Sequence, residues 1–165
     1  EIEKQAIKIS NWGSNVNVKI PITNTKGISL APSIKRLSNL GVQLNITALL
    51  TLEQVEEVVE ALNKDIFNII SVFAGRIADT GIDPKVIMKK SKKIIISKLN
   101  KTELLWASPR QALNILEAND IGCDIITATP DLIKKTENFG KNLTQLSLET
   151  VQMFYDDAVS AGYKL

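Results

Sequence analysis

The stretch GVQLNITALLTLEQ, residues 41–54, decides how the rest of the chain is read. Gly41 stands where a preceding helix must end and the chain turn. The run VQLNITAL (42–49) is rich in β-branched and aliphatic residues and reads as a strand. TLEQ (51–54) is a capping box, in which the Thr51 hydroxyl caps the first turn and Gln54 reaches back. Val55, Val58, Val59 and Leu62 then form an apolar stripe at helical spacing. A strand followed at once by a helix is the repeating half of a βαβ unit. This strand is unusual in carrying Asn45 and Thr47, which the period of two places on one face.

The same texture recurs along the chain. Further strand-like runs are VNVKIPI (16–22), IFNIISVF (66–73), TELLWAS (102–108) and CDIITAT (123–129). Helical patterns cover 2–12, 29–39, 51–62, 85–98, 110–118 and 131–138, and a last one covers about 147–160 with Ser147 as its cap. Gly122, like Gly41, precedes a strand. Strand then helix, five times over, predicts an α/β protein with a parallel sheet. No low-complexity linker divides the chain, so residues 1–165 read as one domain.

Pattern alone leaves two architectures open, a doubly wound sheet and part of an eight-stranded (β/α) TIM barrel. Central strands of a doubly wound sheet are usually apolar on both faces. Here polar residues interrupt the runs: Asn17 and Lys19, Asn45 and Thr47, Asn68 and Ser71. A barrel can hold such groups inside, near the carboxyl ends of its strands. The chain also has no G-x-G-x-x-G and no G-K-[ST]. Both details favour the barrel.

Composition narrows the chemistry. The hydrophobic fraction is 44% and the charged fraction 23%, as in ordinary globular proteins. Cys123 is the single cysteine, which excludes an internal disulfide and a cysteine-rich zinc site. Histidine is absent, so a Ser-His-Asp triad, a Cys-His pair and every histidine-ligated metal site are excluded. No apolar run is long enough to span a bilayer. The opening EIEKQAIKIS is amphipathic and charged, unlike a secretory signal. Between Asp83 and Glu103 lie seven lysines and no acid. No arginine or aromatic residue is interleaved with them, so they read as a solvated helix face rather than a nucleic-acid patch.

NVNVKIPIT (15–23) then poses a chemical question. Val16, Val18, Ile20 and Ile22 share one side of the pleat, while Asn17 and Lys19 share the other. A lysine that loses hydration is disfavoured as the ammonium, and a neutral amine attacks carbonyl carbon to form a Schiff base. The plain alternative is a lysine that snorkels to water. Other polar groups gather at strand ends: Ser71 and Phe73, with Arg76 in the loop beyond, and Ser108 with Arg110 two residues on. Two arginines beyond the carboxyl ends of parallel strands could clamp a phosphate. Taken singly, the serines read as helix caps and the arginines as surface residues.

VKIPIT, GVQLNITALLTLEQ, SVFAGRI and WASPR resemble, in order, the strand motifs of the transaldolase family, which includes the fructose-6-phosphate aldolases. The resemblance runs from the first helix to the last. It implies a class I aldolase-type barrel, with this chain supplying strands four to eight. It implies that Lys19 is the Schiff-base lysine, that Asn45 hydrogen-bonds substrate hydroxyls and that Thr47 helps position a catalytic water. Asn17, Ser71 and Phe73 would line the pocket. Arg76, with Ser108 and Arg110 opposite, would hold the substrate phosphate. The implied activity is transfer of a dihydroxyacetone unit from a ketose phosphate donor to an aldose phosphate acceptor, as in the pentose phosphate pathway. It needs no cofactor and no metal, because the iminium is the electron sink. A cytoplasmic homo-oligomer follows from the same resemblance, with no nucleic-acid or membrane partner.

Two features depart from that pattern. Family members have three earlier strands, which carry an aspartate, an asparagine and a glutamate or glutamine of the active site. SVFAGRI has valine where family members often have proline. The alternatives are therefore a fructose-6-phosphate aldolase and a non-catalytic sugar-phosphate-binding or scaffold domain. A doubly wound signalling domain would need an acidic cluster at strand ends, which the sequence lacks. In the last helix, Leu148, Val151, Tyr155 and Val159 share a face suited either to a neighbouring subunit or to the chain's own barrel.

Overall fold

A computed structural model describes residues 1–163. Its elements are α1 (Ile2–Ser10), β1 (Val18–Pro21), α2 (Ala31–Asn39), β2 (Leu44–Leu49), α3 (Leu52–Ala61) and β3 (Asn68–Val72). There follow α4 (Ala74–Ala78), α5 (Pro84–Lys98), β4 (Thr102–Trp106), α6 (Leu113–Ile121), β5 (Ile125–Ile126), α7 (Pro130–Lys135), a 3-10 turn (Thr136–Asn138) and α8 (Leu143–Ser160). The chain divides into two compact units, Glu1–Thr129 and Pro130–Leu165.

The first unit holds all five strands in one sheet of order β1-β2-β3-β4-β5, each parallel to the next. This order separates the two architectures. A doubly wound sheet reverses direction at a switch point, whereas a barrel adds each strand beside the last. The unbroken sequence is five-eighths of a (β/α)8 barrel wall, as the polar interruptions predict.

Alternation sorts the sheet's two faces. Val18, Ile20, Leu44, Ile46, Ile70, Val72, Leu104 and Trp106 are buried in one cluster with Ile34, Leu37, Val55, Val58, Met88 and Ile95 from the helices. Each fully buried aliphatic side chain contributes about 1.5–3 kcal/mol, so this helix-covered face holds the unit together. The opposite face carries a smaller cluster, Ile69, Leu105 and Ala107, against which Phe67, Phe73 and Ile125 pack. Its members come only from the strands and the residues flanking them, so no helix contributes to this cluster.

The expected elements need four adjustments. Asn68 is fully buried on the helix side, not beside Ser71. Its Oδ1 accepts from Leu44 N–H at 3.1 Å and its Nδ2 donates to Ile66 C=O at 2.9 Å, so it is a clasp between β2 and β3. Arg76 lies in the short helix α4 rather than in a loop. α8 begins earlier than expected, and Asn142, not Ser147, caps it by accepting from the Thr144 and Gln145 N–H groups. β5 is only two residues long.

Two expectations about helix ends hold. The capping box of α3 is complete: Gln54 N–H donates to Thr51 Oγ1 at 3.3 Å, and Thr51 N–H donates to Gln54 Oε1 at 3.2 Å. Gly41 and Gly122 have φ of 85° and 78°, the left-handed conformation that ends a helix. Lys85, Lys92 and Lys98 pair with Glu117, Asp124 and Glu60, so part of the lysine run on α5 is a salt-bridged face. In the second unit, Leu148, Val151, Tyr155 and Val159 of α8 are all exposed. Among the described residues no helix is long and apolar enough to cross a membrane.

Candidate active site

The site is built on the sheet face away from the helices. Lys19 of β1 stands directly beside Asn45 of β2 in the parallel register, and Pro21 stands beside Thr47. Lys19 is exposed and Asn45 is half-buried. Next along the sheet, Ser71 of β3 is 1% exposed and donates its hydroxyl hydrogen to Asn45 Oδ1 at 2.7 Å. The strands thus bring an amine, a carboxamide and a hydroxyl together on one face. Asn17, half-buried just before β1, and Thr47 each carry a buried side-chain oxygen with no hydrogen-bond partner among the described residues. Buried polar atoms of this kind are uncommon and mark a place where a water or ligand atom fits.

Backbone strain sits at the same end of the sheet. Ala48 has φ 63°, and the β2–β3 register shifts between Ile46 and Leu49. A bulge there turns the strand immediately after Thr47. Ser108, just past β4, has φ 58°. Non-glycine residues adopt this conformation only where their surroundings enforce it. The enforcement at Ser108 comes from α4. Gly75 N–H donates to Ala107 C=O at 3.2 Å, and a Cβ on Gly75 would lie 1.4 Å from the Ser108 carbonyl oxygen. Glycine is the residue that lets these two backbones meet.

That contact sets Arg76 beside Ser108 in the chain path. The Arg76 guanidinium lies 5.6 Å from the centroid of the Phe73 ring, within cation–π range, and its side chain is exposed. Arg110 is differently placed. Its Nε donates to both carboxylate oxygens of Asp79, at 3.0 and 3.1 Å. This bond holds the Asp79 carboxyl below its ordinary range, helped by the charge of Arg76, and raises Arg110. Of the two expected phosphate-site arginines, one is free of ion pairs among the described residues and the other is engaged.

Asp79 was not among the residues singled out from the sequence, and no local signal links it to Arg110, 31 positions away. Glu103 was also passed over. It follows Ile69 in the register row that runs from Lys19 through Asn45, and period-two counting back from Leu105 places it on the same face. A separate apolar depression lined by Leu50, Leu52, Ile77 and Ile87 lies elsewhere and offers no amine.

Sequential parallel strands covered by helices on one face define a protein of the (β/α) barrel class. The chain belongs to the transaldolase/fructose-6-phosphate aldolase family, whose sequence model matches residues 1–165. It is 31% identical over 143 residues to "Probable transaldolase" of Nitrosopumilus maritimus, covering 86% of this chain and 60% of that protein. It is 30% identical over 165 residues to "Probable transaldolase" of Brucella anthropi, covering all of this chain and 70% of that protein. A third match, to "Probable transaldolase" of Thermoplasma volcanium, is 32% identical over 131 residues and covers 79% of this chain and 55% of that protein. The chain therefore spans between about half and 70% of the relatives it matches.

Proposed function

We propose that Lys19 is the Schiff-base amine of a transaldolase acting on sugar phosphates. The observation that carries this reading is the shared sheet face of Lys19, Asn45, Thr47 and Ser71, with Lys19 and Asn45 side by side. In the proposed reaction the Lys19 amine adds to the ketone carbon of a ketose phosphate, and the carbinolamine loses water to give an iminium. The iminium accepts the electron pair of the neighbouring carbon–carbon bond while the adjacent hydroxyl passes its proton to the water held at Thr47. An aldose phosphate leaves, and an enamine of dihydroxyacetone remains on the lysine.

The side chains divide the remaining work. Asn45 donates to substrate oxygens, and the unpartnered Thr47 hydroxyl holds a water near the reacting carbon. Arg76 and the Ser108 turn meet the phosphate, with Phe73 as the apolar wall. Addition of the enamine to an acceptor aldehyde gives transaldolase activity, whereas its protonation and hydrolysis give the lyase reaction of a fructose-6-phosphate aldolase.

The test is chemical trapping. The full-length protein incubated with fructose 6-phosphate and borohydride is expected to carry a reduced adduct on the Lys19 peptide, and Lys19→Met is expected to lose it. Binding of fructose 6-phosphate with an unmodified Lys19 peptide favours a binding or scaffold role and sinks the Schiff-base mechanism.

A further inference from the structure

We infer that Asp79 is a specificity-determining residue: by holding the Arg110 guanidinium it leaves Arg76 as the cation open to a phosphate, and so lowers the site's selectivity for phosphorylated substrate. This rests on the reading of the strand ends at Arg76 and Ser108 as the place where the substrate phosphate sits.

The geometry is local. α4 and the residues after β4 meet through their backbones, since Gly75 N–H donates to Ala107 C=O at 3.2 Å and Gly75 stands against the Ser108 carbonyl. Arg76 follows that glycine, Asp79 caps the end of the same short helix, and Arg110 lies two residues past Ser108. Both arginines act on one carboxylate. Arg110 Nε donates to both of its oxygens, at 3.0 and 3.1 Å, and Arg110 Nη2 donates to Oδ2 as well. Those bonds lower the Asp79 carboxyl, and the charge of Arg76 adds to the lowering.

A carboxylate and a phosphate seek the same feature of a guanidinium, two N–H groups side by side. The Nε–Nη2 edge of Arg110 is taken by Asp79. Two arginines and one aspartate leave a phosphate facing the net charge of a single arginine. Arg76 has the Phe73 ring beside it and no ion pair among the described residues. A site with two open arginines would depend strongly on the phosphate of its substrate. With one of them neutralised, a sugar without phosphate competes better.

The ion pair is not what holds the loop. Arg110 and Gln111 N–H groups donate to Asn114 Oδ1 at 2.8 and 3.0 Å, and Asn114 Nδ2 donates to Glu117 at 2.8 Å. The backbone at 110 is thus anchored from α6, and loss of the Asp79 carboxylate frees the side chain rather than the turn. The side chains of Arg110 and Asp79 are 46% and 50% exposed, so a substitution at either opens no core.

Titration calorimetry of the full-length protein with inorganic phosphate, at one ionic strength, tests this. Asp79→Asn is expected to tighten phosphate binding roughly fivefold, the scale of a surface ion pair. The double variant Asp79→Asn/Arg110→Gln is expected to lose that gain, because the freed guanidinium supplies it. The preference for fructose 6-phosphate over fructose is expected to rise in Asp79→Asn by a similar factor. Phosphate binding by Asp79→Asn no tighter than in the unaltered protein, or an unchanged preference, overturns the inference. A double variant as tight as Asp79→Asn also overturns it, by assigning the gain to removal of a negative charge beside Arg76. Arg76→Ala with unchanged phosphate affinity sinks the phosphate-site reading and the inference with it. The titration does not involve Lys19, so a missing borohydride adduct sinks the Schiff-base reading alone.

Discussion

Gly75 shows how much a single position can decide. Its missing side chain lets the start of α4 touch the Ser108 carbonyl, and a Cβ would lie 1.4 Å from that oxygen. No rotamer relieves an overlap with backbone. Gly75→Ala must push α4 and the β4–α6 loop apart, a strain that typically costs about 1–3 kcal/mol. The expected outcome is a lower urea midpoint together with weaker binding of inorganic phosphate, followed by calorimetry. Unchanged stability and phosphate affinity would show that the two backbones do not meet. At this scale the sequence was informative about Lys19, Asn45 and Ser71, because alternation along a strand fixes which residues share a face. It was silent about Asp79. A surface ion pair between residues 79 and 110 leaves no trace in local spacing.

At the scale of elements, legibility followed the strength of local chemistry. α3 was readable to the residue because Thr51 and Gln54 satisfy its first N–H groups reciprocally. Thr51→Ala is expected to lower stability by about 1 kcal/mol, read from urea denaturation. A loss of only a few tenths would show that water replaces the cap. α4 was not readable, because five residues give no helical period and its cap position, Phe73, has no side-chain oxygen. The start of α8 could have been found: Asn142-Leu-Thr-Gln145 has the spacing of a cap, and attention to Ser147 passed over it. β5 is shorter than the strand-like run 123–129, because its ladder pairs only Leu105 with Ile125 and Trp106 with Ile126.

At the scale of the whole molecule, strand order was the property that pattern could not supply. Both candidate architectures share the alternation of strands and helices, and only pairing between residues distant in sequence separates them. Polar interruptions pointed correctly to a barrel, although one of them, Asn68, proved to face the helices. Helix-to-helix links add a pH dependence. Glu3 on α1 accepts from Arg36 Nε and from Ser33 Oγ on α2, and these bonds lower its carboxyl from 4.5 to about 2. A carboxyl with a depressed folded-state value stabilises the fold fully above its ordinary value. That contribution declines as pH falls from about 4.5 toward about 2. Glu3→Gln is expected to melt lower than the unaltered protein at pH 6, with the gap closing by pH 2. A gap that persists at pH 2 would assign the effect to packing rather than to charge.

The meeting of Gly75 with Ser108 also bears on how such a chain can diverge. Any side chain gained at position 75 requires the turn at 108 to retreat first, since the two backbones occupy one another's space. Arg76 is joined to that glycine and rides on the same short helix. Drift in either loop is therefore constrained by the other. The two strand ends are thus coupled through one backbone contact, although 33 positions separate them along the chain.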